Sequence, residues 1–196
     1  MGLAVMIAGL ALFIGTHVFV TFRAARAALV ARLGEGPYKL GFSLVAAIGI
    51  GLIAYGFGLY QATDWIPVWD PPSWTRHVVA LLMAPATILV VAAYVPGHIK
   101  RTLRHPMLAG VKLWAAAHLL ANGDLGSIVL FGSILGWAVF DRLAVKRREA
   151  TSGAADGAAV VGWRNDVVAV VVGLLVYLAL GFVFHPLVIG VPAFAG

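Results

Sequence analysis

Six stretches of the chain, each roughly twenty residues long, are almost entirely apolar. They cover residues 3–22, 41–60, 76–95, 106–122, 125–143 and 166–187. A helix rises about 1.5 Å per residue, so a stretch of this length crosses the roughly 30 Å of hydrocarbon in a bilayer. With 62% hydrophobic and 11% charged residues, the composition is also that of an integral membrane protein. We therefore predict an all-α, polytopic bundle of six transmembrane helices in a single domain over residues 1–196.

The fourth stretch, residues 106–122, is the shortest and contains Lys112. A five-helix bundle is therefore the alternative, with this segment re-entrant or lying partly in the interface. We expect the first helix to be retained in the mature protein, because it lacks a basic n-region and its apolar run is longer than that of a signal peptide. Alanine and arginine residues should continue the same helix as far as Gly34.

Basic residues are concentrated in three alternate connections between the predicted helices, which hold 12 of the 14 Lys and Arg residues. They are Arg23, Arg26, Arg32 and Lys39 in the first connection, Lys100, Arg101 and Arg104 in the third, and Arg142, Lys146, Arg147, Arg148 and Arg164 in the fifth. Because basic loops are retained in the cytoplasm, both termini should lie on the periplasmic side of a bacterial inner membrane. The small-residue stretch near 150–160 should be a flexible cytoplasmic linker. We attribute the net charge of +6 to this bias and to attraction by anionic membrane lipids, not to nucleic-acid binding.

The sequence contains no cysteine, which excludes several kinds of metal chemistry. No disulfide, iron–sulfur cluster or covalently attached c-type haem can form. A metal or haem must therefore be held by histidine, methionine or carboxylate side chains. Among the six histidines, His77, His98 and His185 lie at water-accessible ends of the predicted helices, where we expect structural or interfacial roles.

Two other histidines, His17 and His118, lie well inside apolar stretches. An ionisable group in hydrocarbon is costly unless a partner or a function compensates for it. No acidic or basic residue lies three or four positions from either histidine, so we expect a partner from another helix. That partner is either a hydroxyl or carbonyl group in a hydrogen bond, or a metal or haem that both imidazoles bind in the bundle core.

Residues 104–142, RHPMLAGVKLWAAAHLLANGDLGSIVLFGSILGWAVFDR, resemble the signature of the NnrU family. The shared elements are Arg-His-Pro, Leu-Trp-x-x-x-His-Leu-Leu-x-Asn-Gly-Asp and Trp-x-x-x-Asp-Arg. His17, followed by arginines at the end of the first helix, and residues 38–60 also resemble the family. The similarity covers most of the chain and weakens after residue 150.

The resemblance implies a function that composition does not. Bacterial members of the NnrU family are linked with denitrification, around nitrite and nitric oxide reduction, so other membrane proteins of that process are the implied partners. The plant and cyanobacterial relative is zeta-carotene isomerase, a membrane enzyme whose b-type haem is held by histidine and switches redox state to isomerise a cis double bond. An isomerase-like or redox activity with haem b is therefore implied here.

Carried over by position, the family resemblance implies that His17 and His118 are the iron ligands, with Arg104 and His105 close to the site. Trp114 and Asn122, one turn from His118, should pack against the site and form hydrogen bonds there.

The depths of the two ligands differ. The predicted depths of His17 and His118 in the membrane differ by on the order of 10 Å. If both imidazoles bind one iron, the line that joins them must therefore run steeply across the membrane. His118 with His77 or His185 is the alternative pair.

The Arg-His-Pro element also supports a rival enzyme class. Together with Gly110 it is similar to the Arg-His-Pro-x-x-x-Gly of membrane methyltransferases of the isoprenylcysteine and phospholipid type. Those enzymes need acidic and aromatic residues downstream to hold S-adenosylmethionine, whereas Glu149 is the one glutamate that follows here, with no second glutamate to pair with it and no tyrosine before Tyr177. Methyl transfer is therefore the alternative enzymatic function. The alternative without catalysis is an assembly or transport factor.

Overall fold

The computed structural model describes residues 1–152 and 162–194, and most of these residues are helical. The helices are α1 (Gly2–Phe19), α2 (Arg23–Leu33), α3 (Glu35–Thr63), α4 (Thr75–Ala92), α5 (His98–Leu103), α6 (Pro106–Ala121), α7 (Leu125–Ser152) and α8 (Trp163–Ala179), followed by a π-helical segment (Leu180–Ile189). Within the described ranges there is no strand, and the one extended pairing is an isolated bridge between Pro67 and Asp124. The predicted linker lies largely outside the described residues, since α7 continues to Ser152.

Within the described ranges, five helices are long and apolar enough to cross a membrane. They are α1, α3, α4, the Leu125–Ala150 part of α7, and Trp163–Ile189, which joins α8 to the π-helical segment. The prediction of an all-α, polytopic membrane protein is therefore confirmed. The predicted fourth stretch forms α6, which is apolar but only 16 residues long and so shorter than a usual span. The side of the membrane on which each terminus lies stays a prediction.

The helix is interrupted between α1 and α2, so the expectation of one continuous helix to Gly34 is wrong. Phe22 has φ −80° and ψ 76°, and the Arg23 N–H donates to the Thr21 carbonyl at 3.0 Å. This geometry is an inverse γ-turn. The Thr21 hydroxyl also donates to the Val18 carbonyl at 2.7 Å. The β-branched residues here crowd the preceding helical turn, and the threonine offers the backbone an alternative hydrogen bond.

The described chain forms two compact units. Unit 1 contains Met1–Trp69 and Gly123–Trp137, and unit 2 contains Asp70–Asn122 and the described part of Ala138–Gly196. Helix α7 therefore contributes its first half to unit 1 and its second half to unit 2. Whether the chain acts as a single domain stays a prediction.

In unit 1, α1 packs closely along α3 through glycines on both helices. A Cβ atom on Gly9 would lie 2.7 Å from the Ile53 backbone nitrogen, and one on Gly49 would lie 3.0 Å from Phe13. A Cβ atom on Gly51, two positions along α3, would meet nothing within 4 Å. Small residues let membrane helices approach closely and so gain van der Waals contact without a hydrophobic driving force.

Hydrogen bonds connect the start of α7 to the loop after α3, within the same unit. Asp124 is fully buried, and its Oδ1 accepts a hydrogen bond from the Ser127 N–H at 2.8 Å, which caps the helix. The Leu125 N–H donates to the Ile66 carbonyl at 2.9 Å. The Ile66 N–H in turn donates to the hydroxyl of the buried Tyr60 at 3.0 Å. Backbone groups at this turn are therefore paired rather than left unsatisfied in an apolar setting.

In unit 2, α4 packs against both α6 and α8. A Cβ atom on Gly110 of α6 would lie 2.8 Å from the Ala86 carbonyl oxygen of α4. One on Gly173 of α8 would lie 2.6 Å from the Ile88 Cα atom. Both positions therefore require glycine, because these neighbours are backbone atoms that cannot move aside.

The short helix α5 is held to the start of α8 by Asp166. This carboxylate accepts hydrogen bonds from the His98 N–H at 3.0 Å, the Ile99 N–H at 2.9 Å and the His98 Nδ1–H at 2.7 Å. His98 is thus a structural residue at a helix end.

Candidate functional site

His118 is fixed by groups one turn away on α6. Its Nδ1 lies 2.9 Å from the Trp114 carbonyl oxygen, and the ring centres of His118 and Trp114 are 5.0 Å apart. Because a carbonyl can only accept, the proton must be on Nδ1, and the neutral imidazole then carries its lone pair on Nε2. The Asn122 amide donates to the His118 carbonyl at 2.8 Å. Trp114 and Asn122 therefore orient the side chain and the helix end around His118.

One ring nitrogen of His17 and of His118 is satisfied within its own helix, and a partner from another helix for the second nitrogen stays a prediction. In both His17 and His118 the partner is the backbone carbonyl four residues earlier in the same helix. Helical side chains lean toward the N-terminus, so a histidine ring can reach the carbonyl of the preceding turn.

His185 faces His118 within unit 2. Their ring centres are 6.2 Å apart and the ring planes are inclined by 34°. The His185 Nδ1 atom is buried and has no hydrogen-bond partner in the described part of the chain. His185 lies in the π-helical segment, which ends at Gly190 with φ 79°. π-Helical turns are rare and occur frequently at functional sites.

His17 lies in unit 1 and is surrounded by aromatic rings. Its Nδ1 donates to the Phe13 carbonyl at 2.7 Å. The His17 ring centre is 4.2 Å from that of Phe13, 5.1 Å from that of Phe42 and 5.2 Å from that of Trp137. The Trp137 Nε1 atom is buried and lacks a hydrogen-bond partner within the described ranges. The site therefore combines an imidazole of fixed tautomer with an unsatisfied donor in an aromatic setting.

Arg104 and His105 lie at the opposite end of α6 from His118. The His105 Nε2 is 2.5 Å from the Glu149 Oε1. The second carboxylate oxygen, Oε2, is 3.6 Å from the Arg142 Nη1 and 3.9 Å from the Arg104 Nη1. Glu149 thus forms one short hydrogen bond with the imidazole and attracts both guanidinium groups from a longer distance.

The backbone at Arg104 is strained. Among the described residues it is the one non-glycine residue with positive φ, at φ 57° and ψ −46°. The His105 N–H donates to the Leu103 carbonyl at 2.6 Å, which closes the rare, strained form of the γ-turn. Such a conformation costs on the order of 1–3 kcal/mol. Pro106, which begins α6, and the His105–Glu149 bond hold the turn in place.

The family model described as "NnrU protein" matches residues 5–193 of the chain. The chain belongs to the NnrU family. The match covers nearly the whole chain and confirms the resemblance carried by residues 104–142. Comparison with curated proteins and with solved structures gave no match.

In this NnrU-family protein, the residues expected at one site belong to three local groups, each within one unit. His118, Trp114 and Asn122 are together, as expected from their spacing, and His185 joins them. Arg104 and His105 are at the start of α6, and the 12 residues from Pro106 to His118 correspond to about 18 Å of helix. His17 belongs to unit 1, whereas the other five belong to unit 2.

Sequence reasoning missed several residues of these clusters. Phe42 and Trp137 beside His17 carry no local signal, since their contact depends on how three helices are rotated in unit 1. Arg142 contributes to the basic charge that predicts the topology, yet Arg142, Lys146 and Glu149 are also spaced i, i+4 and i+7 and so lie on one face of α7. That spacing was the available signal for a charged site.

Proposed function

We propose that this NnrU-family membrane protein binds haem b with His118 as an axial ligand, in the bacterial inner membrane. The observation that carries the proposal is the hydrogen bond from Nδ1 of His118 to the Trp114 carbonyl. Histidine ligands of metals commonly donate their other ring nitrogen to a carbonyl or carboxylate, which fixes the ring and its tautomer. His17 makes the same bond with the Phe13 carbonyl.

The set of donor residues fits haem better than a bare metal ion. The described residues contain no group of three or more His, Cys, Asp or Glu side chains that could hold a metal ion. A protein-held ion such as zinc needs three or four protein ligands. A porphyrin supplies four nitrogen ligands itself, so one or two axial histidines suffice. Aromatic side chains beside His17 and His118 provide the apolar surroundings that a porphyrin requires.

Two residues are candidates for the second axial ligand. The family resemblance implies His17, whose Nδ1 is already committed to a carbonyl and whose lone pair is on Nε2. Within unit 2, His185 is favoured by its ring-to-ring distance of 6.2 Å from His118 and by its buried, unpartnered Nδ1.

Bound haem would supply an iron that changes redox state. The resemblance links that chemistry with nitrite and nitric oxide reduction, alongside other denitrification membrane proteins, or with isomerase-like chemistry on a cis double bond. The chain's own contribution is to orient the imidazole through the Trp114 carbonyl, to restrain the end of α6 through Asn122, and to place the Trp114 ring beside the imidazole.

The test is an absorption spectrum of the protein purified from haem-replete cells, oxidised and then reduced with dithionite. The wild-type protein should show a Soret band and, after reduction, the α and β bands of a b-type haem. His118→Ala should lose most of the haem or become high-spin, because α6 has no other histidine to replace the ligand. A colourless wild-type protein contradicts the proposal.

His98→Ala is the matched control. It also removes an imidazole from unit 2, but His98 is bonded to Asp166 at a helix end. Its haem content and spectrum should equal those of the wild type. An unchanged spectrum in His118→Ala would instead show that His118 is structural.

A further inference from the structure

A cavity of about 440 Å³ lies beside the start of α6, within unit 2. Its charged lining consists of Arg104, Arg142, Lys146 and Glu149. Three cations therefore face one carboxylate, which leaves an excess of two positive charges. A concentration of like charge in a concave, partly apolar site raises the local potential and attracts a ligand of opposite sign. The volume is within the range of small-ligand sites.

The two arginines that line the cavity are not held by hydrogen bonds from their Nη1 atoms to Glu149. The Arg142 Nη1 is buried and has no hydrogen-bond partner in the described chain, and its distance of 3.6 Å from Glu149 Oε2 is an attraction rather than a bond. The Arg104 Nη1 is 3.9 Å from the same oxygen. Glu149 meanwhile uses Oε1 for the 2.5 Å bond with His105. The carboxylate thus holds the two guanidinium groups near each other without saturating their donors.

The backbone supports the same assignment independently of the charges. Arg104 is the central residue of the strained γ-turn that joins α5 to α6, and its side chain lines the cavity. A strained non-glycine residue persists where its neighbours hold it, and such residues cluster at functional sites. The His105–Glu149 bond and Pro106 provide that restraint here.

We infer that this cavity binds a phosphate group through Arg104, Arg142 and Lys146. Arginine presents paired N–H donors that match the oxygens of a phosphate, and two excess positive charges match the double negative charge of a phosphate monoester. The phosphate group is carried either by a phospholipid headgroup or by a soluble phosphate compound. The cavity lies where α6 begins and where the apolar part of α7 gives way to charged residues, at the level expected for headgroups.

This site is separate from the proposed haem site. His118 lies about 18 Å along α6 from Pro106, so the two sites are at opposite ends of this helix. The inference therefore stands whether or not the protein binds haem.

The experiment measures ligand-induced thermal stabilisation of the full-length protein at constant ionic strength, so that general screening is equal in all samples. The soluble probe is inorganic pyrophosphate, added to detergent-purified protein. The lipid probe is phosphatidic acid, mixed into phosphatidylcholine nanodiscs and compared with nanodiscs of phosphatidylcholine alone. At least one probe should stabilise the wild type in a saturable way. Stabilisation by pyrophosphate identifies a soluble source, and stabilisation by phosphatidic acid alone identifies a lipid source.

Arg142→Gln and Lys146→Gln are the test variants, and Lys146 is exposed, so its substitution should not disturb folding. Each should weaken binding of the effective probe by about tenfold or more, as expected for loss of a charge-assisted hydrogen bond. Arg32→Gln is the matched control, because it removes one charge from an exposed helix position in unit 1. It should bind like the wild type. No response to either probe, or an equal response in all variants, overturns the inference.

Discussion

The imidazole rings of His118 and His185 lie 6.2 Å apart, centre to centre, although α6 and the π-helical segment are far apart in the sequence. Two metal–nitrogen bonds of about 2 Å each, together with the distance from each nitrogen to its ring centre, sum to a separation of this order. The pair therefore has the spacing that one metal between two imidazoles requires. The family resemblance favours His17 instead, so the second ligand is a question that variants can decide.

The first prediction concerns that second ligand. If His185 binds the iron opposite His118, His185→Ala should convert a low-spin spectrum into a high-spin one, while His17→Ala keeps the wild-type spectrum. If His17 is the ligand, His17→Ala should give the high-spin spectrum and His185→Ala should keep the wild-type spectrum. Electron paramagnetic resonance of the oxidised protein measures the spin state directly. Wild-type spectra in both variants would contradict both pairs.

The sequence predicted the membrane class and the long helices because apolar runs of about twenty residues have few alternatives. It also predicted the neighbours of His118 on α6, since Trp114 and Asn122 are one turn away on the same helix. It offered His185 as an alternative partner of His118, but it did not favour His185 over His77 or His17. That contact depends on how α6 and the π-helical segment are rotated within unit 2, and no local spacing encodes such rotation.

A second limit of the sequence concerns the break after α1. Alanine and arginine favour helix on both sides of residue 21, so propensity alone favoured one continuous helix. The break is made by the Arg23 N–H, which bonds to the Thr21 carbonyl rather than to the preceding helical turn. A single turn of this kind can end a helix without glycine or proline.

The second prediction concerns the packing of α1 on α3. Gly9→Val should lower the thermal stability of the detergent-purified protein, because its Cβ would lie 2.7 Å from the Ile53 nitrogen. The expected cost is about 1–3 kcal/mol, typical of overpacking. Gly15→Val on the same helix is the control, since a Cβ there meets nothing within 4 Å. Equal stability of the two variants would show that α1 does not approach α3 this closely.

The third prediction concerns topology and the role of α6. A reporter active only in the cytoplasm should work when fused within residues 150–158 and fail when fused at Gly196, because basic loops are retained inside. With the N-terminus on the periplasmic side, as the charge distribution predicts, this pattern requires α6 to cross the membrane despite its 16 residues. If α6 does not cross, α7 and α8 reverse direction. The reporter would then fail at 150–158 and work at Gly196, as the five-helix alternative requires.

The fourth prediction concerns methyl transfer. Gly110, which completes the methyltransferase-like Arg-His-Pro-x-x-x-Gly, serves here to bring α6 within close contact of the Ala86 carbonyl on α4. The cavity beside Arg104 has an excess of positive charge, which disfavours the sulfonium group of S-adenosylmethionine. Calorimetry should therefore detect no saturable binding of that cofactor to the wild-type protein. Saturable binding that Arg104→Ala abolishes would restore methyl transfer as the leading function.

The last prediction separates stability from binding at Arg104. Glycine adopts positive φ without steric cost, so Arg104→Gly should relieve the strain of the γ-turn. The greater entropy of glycine in the unfolded chain offsets part of this gain, which leaves a net increase of about 1 kcal/mol in the free energy of unfolding. Loss of the Arg104–Glu149 contact adds little, because the arginine side chain is 56% exposed.

Arg104→Gln keeps the strain and removes the charge, so it should show no gain in stability. Both variants should bind the effective phosphate probe more weakly than the wild type. Denaturation in detergent and the probe titration, measured on the same two variants, test the strain and the binding role separately, and a destabilised Arg104→Gly protein would contradict the assignment of strain to this turn.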